Sequence, residues 1–307
     1  PGKVILFGEH AVVYGRPAVA APVTQLRARA TIEELPGPDV RMVTPDLGRE
    51  MWLSAARQDN PLAVTVRAVQ RHFSCQGVGG FSLSVTSEIP IASGLGSGAA
   101  IAVAVIRALA LYFGRADTLS RDDVSRLAYE VERLHHGTPS GIDNTVIAFE
   151  QPVYFVRAQP QNRIETFTPA RPLRLLIGDT GVRSATKIVV DDVRRRWERD
   201  PARFERIFDA CGRLADAGRV ALARGDLAAV GELMSENHDW LARMTVSSTT
   251  LNRLVDAALS AGALGAKLSG AGRGGNMIAL VSGETEQAVA AALRAAGAVR
   301  MFSSDVG

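Results

Sequence analysis

Between Gly94 and Ala99 the chain reads Gly-Leu-Gly-Ser-Gly-Ala, then continues through apolar residues to Phe113 without proline or further glycine. These strong helix formers predict a helix from Ser97 to Phe113. The first turn of such a helix leaves backbone N–H groups unpaired and carries partial positive charge. Gly94, Gly96 and Gly98 have no Cβ, so a ligand can approach the backbone closely. The chemistry this suits is anion binding, phosphate above all. Carboxylates follow in Glu130, Glu132 and Asp143. The only lysines are Lys3, Lys187 and Lys267, each at or beside a candidate segment, while arginine serves elsewhere. A compact, tunable ammonium is what lysine offers and arginine does not.

Two familiar phosphate loops do not fit. A P-loop ends in Gly-Lys-Ser/Thr, and this loop ends in Gly-Ala-Ala. Gly94, Gly96 and Ala99 match G-x-G-x-x-A, with Asp117 at a suitable distance for a ribose contact. A dinucleotide-binding first strand is buried on both faces and reads continuously apolar, however. The preceding Phe-Ser-Leu-Ser-Val alternates, which places it in an antiparallel or one-sided sheet.

The carboxylates are less selective by themselves. Glu130 and Glu132 flank the stripe Val124, Leu127, Ala128, Val131 and Leu134 symmetrically. Glu130 has Arg126 and Arg133 at helical spacing and can be spent on surface pairs, whereas Glu132 has no such arginine. Asp143, after Ser140-Gly141-Ile142, reads locally as a turn or cap residue. Glu132-x-x-His135 has a di-iron spacing, but such sites need two copies and one is present. His10, alone in an apolar segment beside Glu9, reads locally as a structural histidine.

These groups need elements to hold them. Lys-Val-Ile-Leu-Phe (3–7) and Ala-Val-Ala-Ala-Pro-Val (18–23) are short apolar strands flanking the segment with Glu9 and His10. From Leu26 to Leu35 the pattern alternates, with Ala28, Ala30 and Ile32 on one face and Arg27, Arg29 and Thr31 on the other, a half-exposed strand. Asn60 and Pro61 predict N-cap and first residue of a helix reaching His72. Ser120 and Asp123 predict a capped helix that stops near Gly137 and Pro139. The polar, Pro-rich tract from Arg157 to Pro172 reads as a domain junction. Beyond it come a strand, four helices between Ser184 and Ala261, a strand pair around residues 266–281, and a terminal helix and strand.

Three segments resemble, in order and spacing, the signature motifs of the GHMP kinases: PGKVILFGEHAVVYGRPA (1–18), IPIASGLGSGAA (89–100) and KLSGAGRGGN (267–276). The family takes its name from galactokinase, homoserine, mevalonate and phosphomevalonate kinases, and the first motif resembles its mevalonate kinase branch most. The resemblance implies an α+β fold of α/β two-layer sandwiches. An N-terminal ribosomal-protein-like α/β domain (1–165) would carry the ATP and phosphate loop, and a ferredoxin-like α/β domain (166–307) would follow. It implies phosphoryl transfer from ATP, with Mg²⁺, to an alcohol, mevalonate being the match.

Site roles follow from the same resemblance. Gly94, Leu95, Gly96, Ser97, Gly98 and Ala99 would surround the phosphates. Glu132, eleven residues before Asp143, aligns with the family's metal ligand. Asp143 and Lys3 would face the hydroxyl, the lysine easing its deprotonation and stabilising charge on the transferring group. His10, Glu9 and Thr186 would contact the substrate. Two departures stand out. Gly98 replaces a serine whose hydroxyl would meet the cation, so that either Ser97 or water takes that role or metal binding is weaker. Arg273 replaces a usual glycine, to reach the phosphates or to face solvent.

Composition narrows the class. A net charge of +3 and no basic stripe argue against nucleic acid. The apolar run from Gly98 to Phe113, broken by Arg107, is shorter than the ~20 residues a membrane span needs. Cys75 and Cys211 have no metal or redox spacing, which suits free thiols in the cytoplasm. Phosphomevalonate kinase, a mevalonate 3-kinase and a non-catalytic nucleotide or metabolite sensor on the same fold stay open, as does a homodimer.

Overall fold

The structure, a computed structural model, describes residues 1–307 except Ala92, Gly137 and Thr138, and except the side chains of Leu134, His135 and His136. The expected helix stop at Gly137 and the side-chain chemistry of the two histidines lie outside the described residues.

In chain order the first strands are β1 (Gly2–Phe7), β2 (Pro17–Val23), β3 (Ala28–Glu34), β4 (Val40–Thr44) and β5 (Arg49–Trp52). Helix α1 (Pro61–His72), strand β6 (Phe81–Ser87), and helices α2 (Ser97–Tyr112), α3 (Arg121–His136) and α4 (Ile142–Phe149) follow. Then come strands β7 (Val153–Val156), β8 (Arg163–Thr166) and β9 (Leu173–Asp179). Helices α5 (Thr186–Arg199), α6 (Pro201–Arg224), α7 (Leu227–Arg243) and α8 (Thr249–Ser260) precede β10 (Gly265–Ser269), β11 (Asn276–Val281), α9 (Glu286–Ala295) and β12 (Arg300–Val306). Contacts group this chain into two compact units. Residues 1–2, 26–91 and 96–149 form the first, and residues 3–25, 92–95 and 150–307 the second.

The first unit is a sheet, ordered β3-β6-β4-β5, packed against helices. Strand β6 runs antiparallel to β3 and parallel to β4. Its register sets Val85 beside Ala30 and Leu83 beside Ile32, so the alternation in both segments collects apolar side chains on one face. Helix α2 lies on β3 and buries Val103, Ile106 and Leu109, each worth roughly 1.5–3 kcal/mol. Arg107 interrupts that apolar run because its guanidinium donates to the Ala148 carbonyl at 2.7 Å, tying α2 to the end of α4. The predicted caps form. Asn60 accepts from Ala63 N–H at the start of α1. The Ser120 hydroxyl accepts from Asp123 N–H at 3.1 Å and donates to the Asp123 carboxylate at 2.6 Å.

The second unit holds two sheets, ordered β1-β2-β7-β8 and β10-β11-β9-β12. Its core gathers Phe204 and Phe208 of α6, Leu251 and Leu254 of α8, and Leu268 and Met277 of the second sheet. Helices α5 to α8 match the four expected. The tract 157–172 differs from the linker its composition suggests. Arg163–Thr166 pairs antiparallel with β7, and Arg163 and Arg219 both hold Glu165. This strand lies at the end of its sheet, where charged residues and a short ladder discourage further pairing, so an apolar signal is not required.

Candidate active site

Within the second unit a cleft opens between three chain segments. Ser93 and Gly94 of the glycine loop form one side. Ser184 and Thr186, just before and at the start of α5, form another. The turn joining β10 to β11, from Ser269 through Ala271 and Gly272 to Gly275, forms the third.

That turn is built from glycine for steric reasons. Gly272 has φ of 83°, and a Cβ there would sit 2.0 Å from the Val246 carbonyl oxygen. At Gly275, with φ of 71°, a Cβ would come within 2.8 Å of the Ser93 carbonyl oxygen. The same carbonyl accepts a hydrogen bond from the Asn276 side-chain amide. The third glycine segment therefore packs against the chain at Ser93.

The first strand joins them. Lys3 N–H donates to the Leu95 carbonyl at 3.0 Å. Ile5 N–H donates to the Ser269 hydroxyl at 2.9 Å, and that hydroxyl donates to Ile5 O at 3.2 Å. His10 donates from Nε2 to the Ala271 carbonyl at 2.8 Å, a bond that fixes the tautomer because a carbonyl only accepts. Burial pushes the His10 imidazole down to about 4, with the Ala271 hydrogen bond opposing, so the ring is neutral near pH 7. Segments from all three motifs thus meet around one cleft.

Behind His10, Glu9 and Lys267 form an ion pair with side-chain exposures of 1% and 0%. Lys267 Nζ also donates to Leu268 O at 2.8 Å and Ile5 O at 3.4 Å, which uses all three of its protons. Burial drives the Glu9 carboxyl up and the Lys267 ammonium down, and their mutual attraction pulls each back. Glu9 is thus an interior ion-pair partner, with its Oε2 making no hydrogen bond to the described residues.

The first unit carries the other expected groups. Gly96, at φ of 75° in the left-handed region, is the N-cap of helix α2, which has no side-chain cap and no acidic residue in its first turn. A serine or aspartate cap would occupy the N–H groups there, and glycine leaves them without one. Gly98 is exposed, and a Cβ on it would meet nothing within 4 Å among the described residues. Glu130 lies 3.8 Å from Arg126, the surface pair its spacing predicts. Glu132 is half-buried on the same helix. Asp143 lies in the first turn of α4, and its neighbour Asn144 donates to Ser125 of α3 at 2.9 and 2.8 Å. The helices bearing Glu132 and Asp143 are therefore clamped together.

No group of three or more His, Cys, Asp or Glu is clustered for a metal among the described residues. Mg²⁺ needs no such cage, since one or two carboxylates with substrate phosphates and water complete its octahedron.

Lys3, Glu9, His10, Gly94, Leu95 and Thr186 belong to the second unit, and Gly96, Ser97, Gly98, Ala99, Glu132 and Asp143 to the first. Local signals gave no notice of Ser93, Ser184 or Asn276, whose small polar side chains are common in any loop. Arg273 takes a third course beside the two expected. Its guanidinium pairs with Asp192 of α5 and donates to Thr245 O at 3.1 Å.

Comparison with known proteins agrees with this geometry. Residues 60–151 match the family described as GHMP kinases N terminal domain, and residues 219–299 match GHMP kinases C terminal. Mevalonate kinase of Pyrococcus horikoshii is 37% identical over 99% of this chain and 93% of its own. The crystal structure of L. major mevalonate kinase in complex with R-mevalonate superposes with a TM-score of 0.84 at 32% identity, covering 99% of this chain and 94% of that one. The Methanococcus jannaschii mevalonate kinase structure gives 0.86 at 27%, covering 100% and 96%. No helix among the described residues is long and apolar enough to cross a membrane. The chain belongs to the GHMP kinase family, in the branch that holds these mevalonate kinases.

Proposed function

We propose that this protein is an ATP-dependent mevalonate kinase, moving the γ-phosphoryl group to the 5-hydroxyl of mevalonate. The observation that carries the reading is the meeting of all three motif segments at one cleft, through Ile5 with Ser269, His10 with Ala271, and Asn276 with Ser93. In this reading the uncapped start of α2 and the backbone from Gly94 to Ala99 cradle the phosphates. Asp143 and Lys3 act at the hydroxyl, the carboxylate orienting it and taking its proton, the ammonium stabilising the oxygen and the transferring group. Neutral His10 and Thr186 position the acceptor, and Glu9 acts from behind His10. Glu132 and Ser97 would hold Mg²⁺, which neutralises phosphate charge when bound.

An ADP-release assay with mevalonate, phosphomevalonate, homoserine and galactose tests this. Turnover of mevalonate alone is expected, with the product phosphate on the 5-oxygen by NMR. Turnover of another alcohol instead, or a 3-phosphate product, would overturn the substrate assignment. ATP binding without turnover of any alcohol would make the chain a sensor.

A further inference from the structure

Arg273 occupies the left-handed region at φ of 57°, between Gly272 and Gly274. Residues with a Cβ seldom adopt this conformation unless their surroundings hold them there. Here the surroundings do. The Arg273 N–H donates to Val246 O at 2.7 Å, Nε donates to Thr245 O at 3.1 Å, and the guanidinium pairs with Asp192. One side chain thus joins the glycine turn, the loop after α7 and the middle of α5.

Another tie reaches the segment before α5, where Gly275 N–H donates to Val182 O at 2.8 Å, but it stops four residues short of Thr186. Of the 14 residues of α5 only Val189 and Val193 are buried. Its later half has its own anchor, because Trp197 lies 5.3 Å from the Tyr14 ring and donates to Glu205 at 2.8 Å. The first half carries Thr186, Lys187 and Ile188, all exposed. Asp192 lies six residues beyond Thr186, roughly 9 Å along the helix axis. Its other partners, Arg195 and Arg196, are on the same helix and fasten it to nothing else.

We propose that Arg273 is a positioning residue: by gripping Asp192 it fixes the first turn of α5, with Thr186, across the cleft from the glycine turn, and so sets affinity for the acceptor. The inference rests on the reaction proposed above. A fork held at two points suits this better than lysine's single ammonium.

The test compares wild type with R273G, R273K, D192N and R273G/D192N, by steady-state kinetics and by hydrogen exchange of the amides of residues 184–190. R273G and D192N are expected to raise KM for mevalonate about tenfold, with kcat and KM for ATP within about twofold. R273K should fall between, and the double variant should be no worse than either single, since both break one link. Exchange at the start of α5 should quicken in R273G and D192N. Unchanged KM for mevalonate with an active wild type would overturn the inference, as would a selective rise in KM for ATP. If the wild type turns over no mevalonate, the reaction assignment fails, and exchange alone decides whether Arg273 holds α5: unchanged exchange rejects it.

Discussion

Two ion pairs flank the same cleft and differ in kind. Glu9 and Lys267 are sealed inside, at 1% and 0% exposure, while Asp192 and Arg273 keep 19% and 31%. The inner pair lies in a low dielectric, where its attraction is large but so is the cost of having left water. The outer pair is partly solvated, and its attraction is screened. Hydrogen bonding to Arg273 and Arg196 holds the Asp192 carboxyl down at about 2, so it stays ionised through the neutral range. The inner pair therefore governs whether the unit holds together, and the outer one governs where a helix end sits.

Variants can break or sharpen this contrast. The largest effect is expected from Lys267→Met, which strands Glu9 as an uncompensated buried charge and should cost roughly 3–5 kcal/mol in urea unfolding. Replacing both partners, as E9L/K267M, should recover much of that loss; failure to recover would mean the carbonyl bonds of Lys267 matter more than its charge.

Next comes His10, which sits beside the inner pair. Its folded value is lowered from 6.5 to about 4, so the unfolded chain takes up the proton first as pH falls. Its contribution is full above pH 6.5 and is lost as pH drops through about 4, reaching about 3 kcal/mol. Unfolding curves of wild type and His10→Gln between pH 7 and pH 4 should converge; parallel curves would place no such titration at His10.

Arg273→Gly should leave stability within about 1 kcal/mol of wild type, because a weak pair is lost while left-handed backbone strain is relieved. A loss comparable to that of Lys267→Met would erase the distinction between the pairs. The smallest effect is expected at Gly98, where an added Cβ would meet nothing within 4 Å among the described residues. Gly98→Ser should change stability by less than about 0.5 kcal/mol and lower the Mg²⁺ concentration for half-maximal activity.

Much of the architecture was legible because its causes are local. Asn60 before Pro61, Ser120 before Asp123, and the alternation at Ala28–Ile32 and Phe81–Ser87 each act within a few residues of the groups they satisfy. The uncapped glycine start of α2 was legible for the same reason. Strand β8 was hidden, since edge position, which exempts a strand from being apolar, is a property of the sheet. The grouping of residues 3–25 with the C-terminal half left no local mark either.

The sequence by itself thus determined the elements, the caps and the residue types able to handle phosphate and an alcohol. Only the tertiary structure decided that Glu9 would meet Lys267, 258 positions away, and that Arg273 would meet Asp192 instead of solvent, 81 positions away. The physical reason is that a charge takes its partner from whatever the folded register brings within reach. Register is set by packing across the whole unit, and the residues adjoining either charge do not encode it.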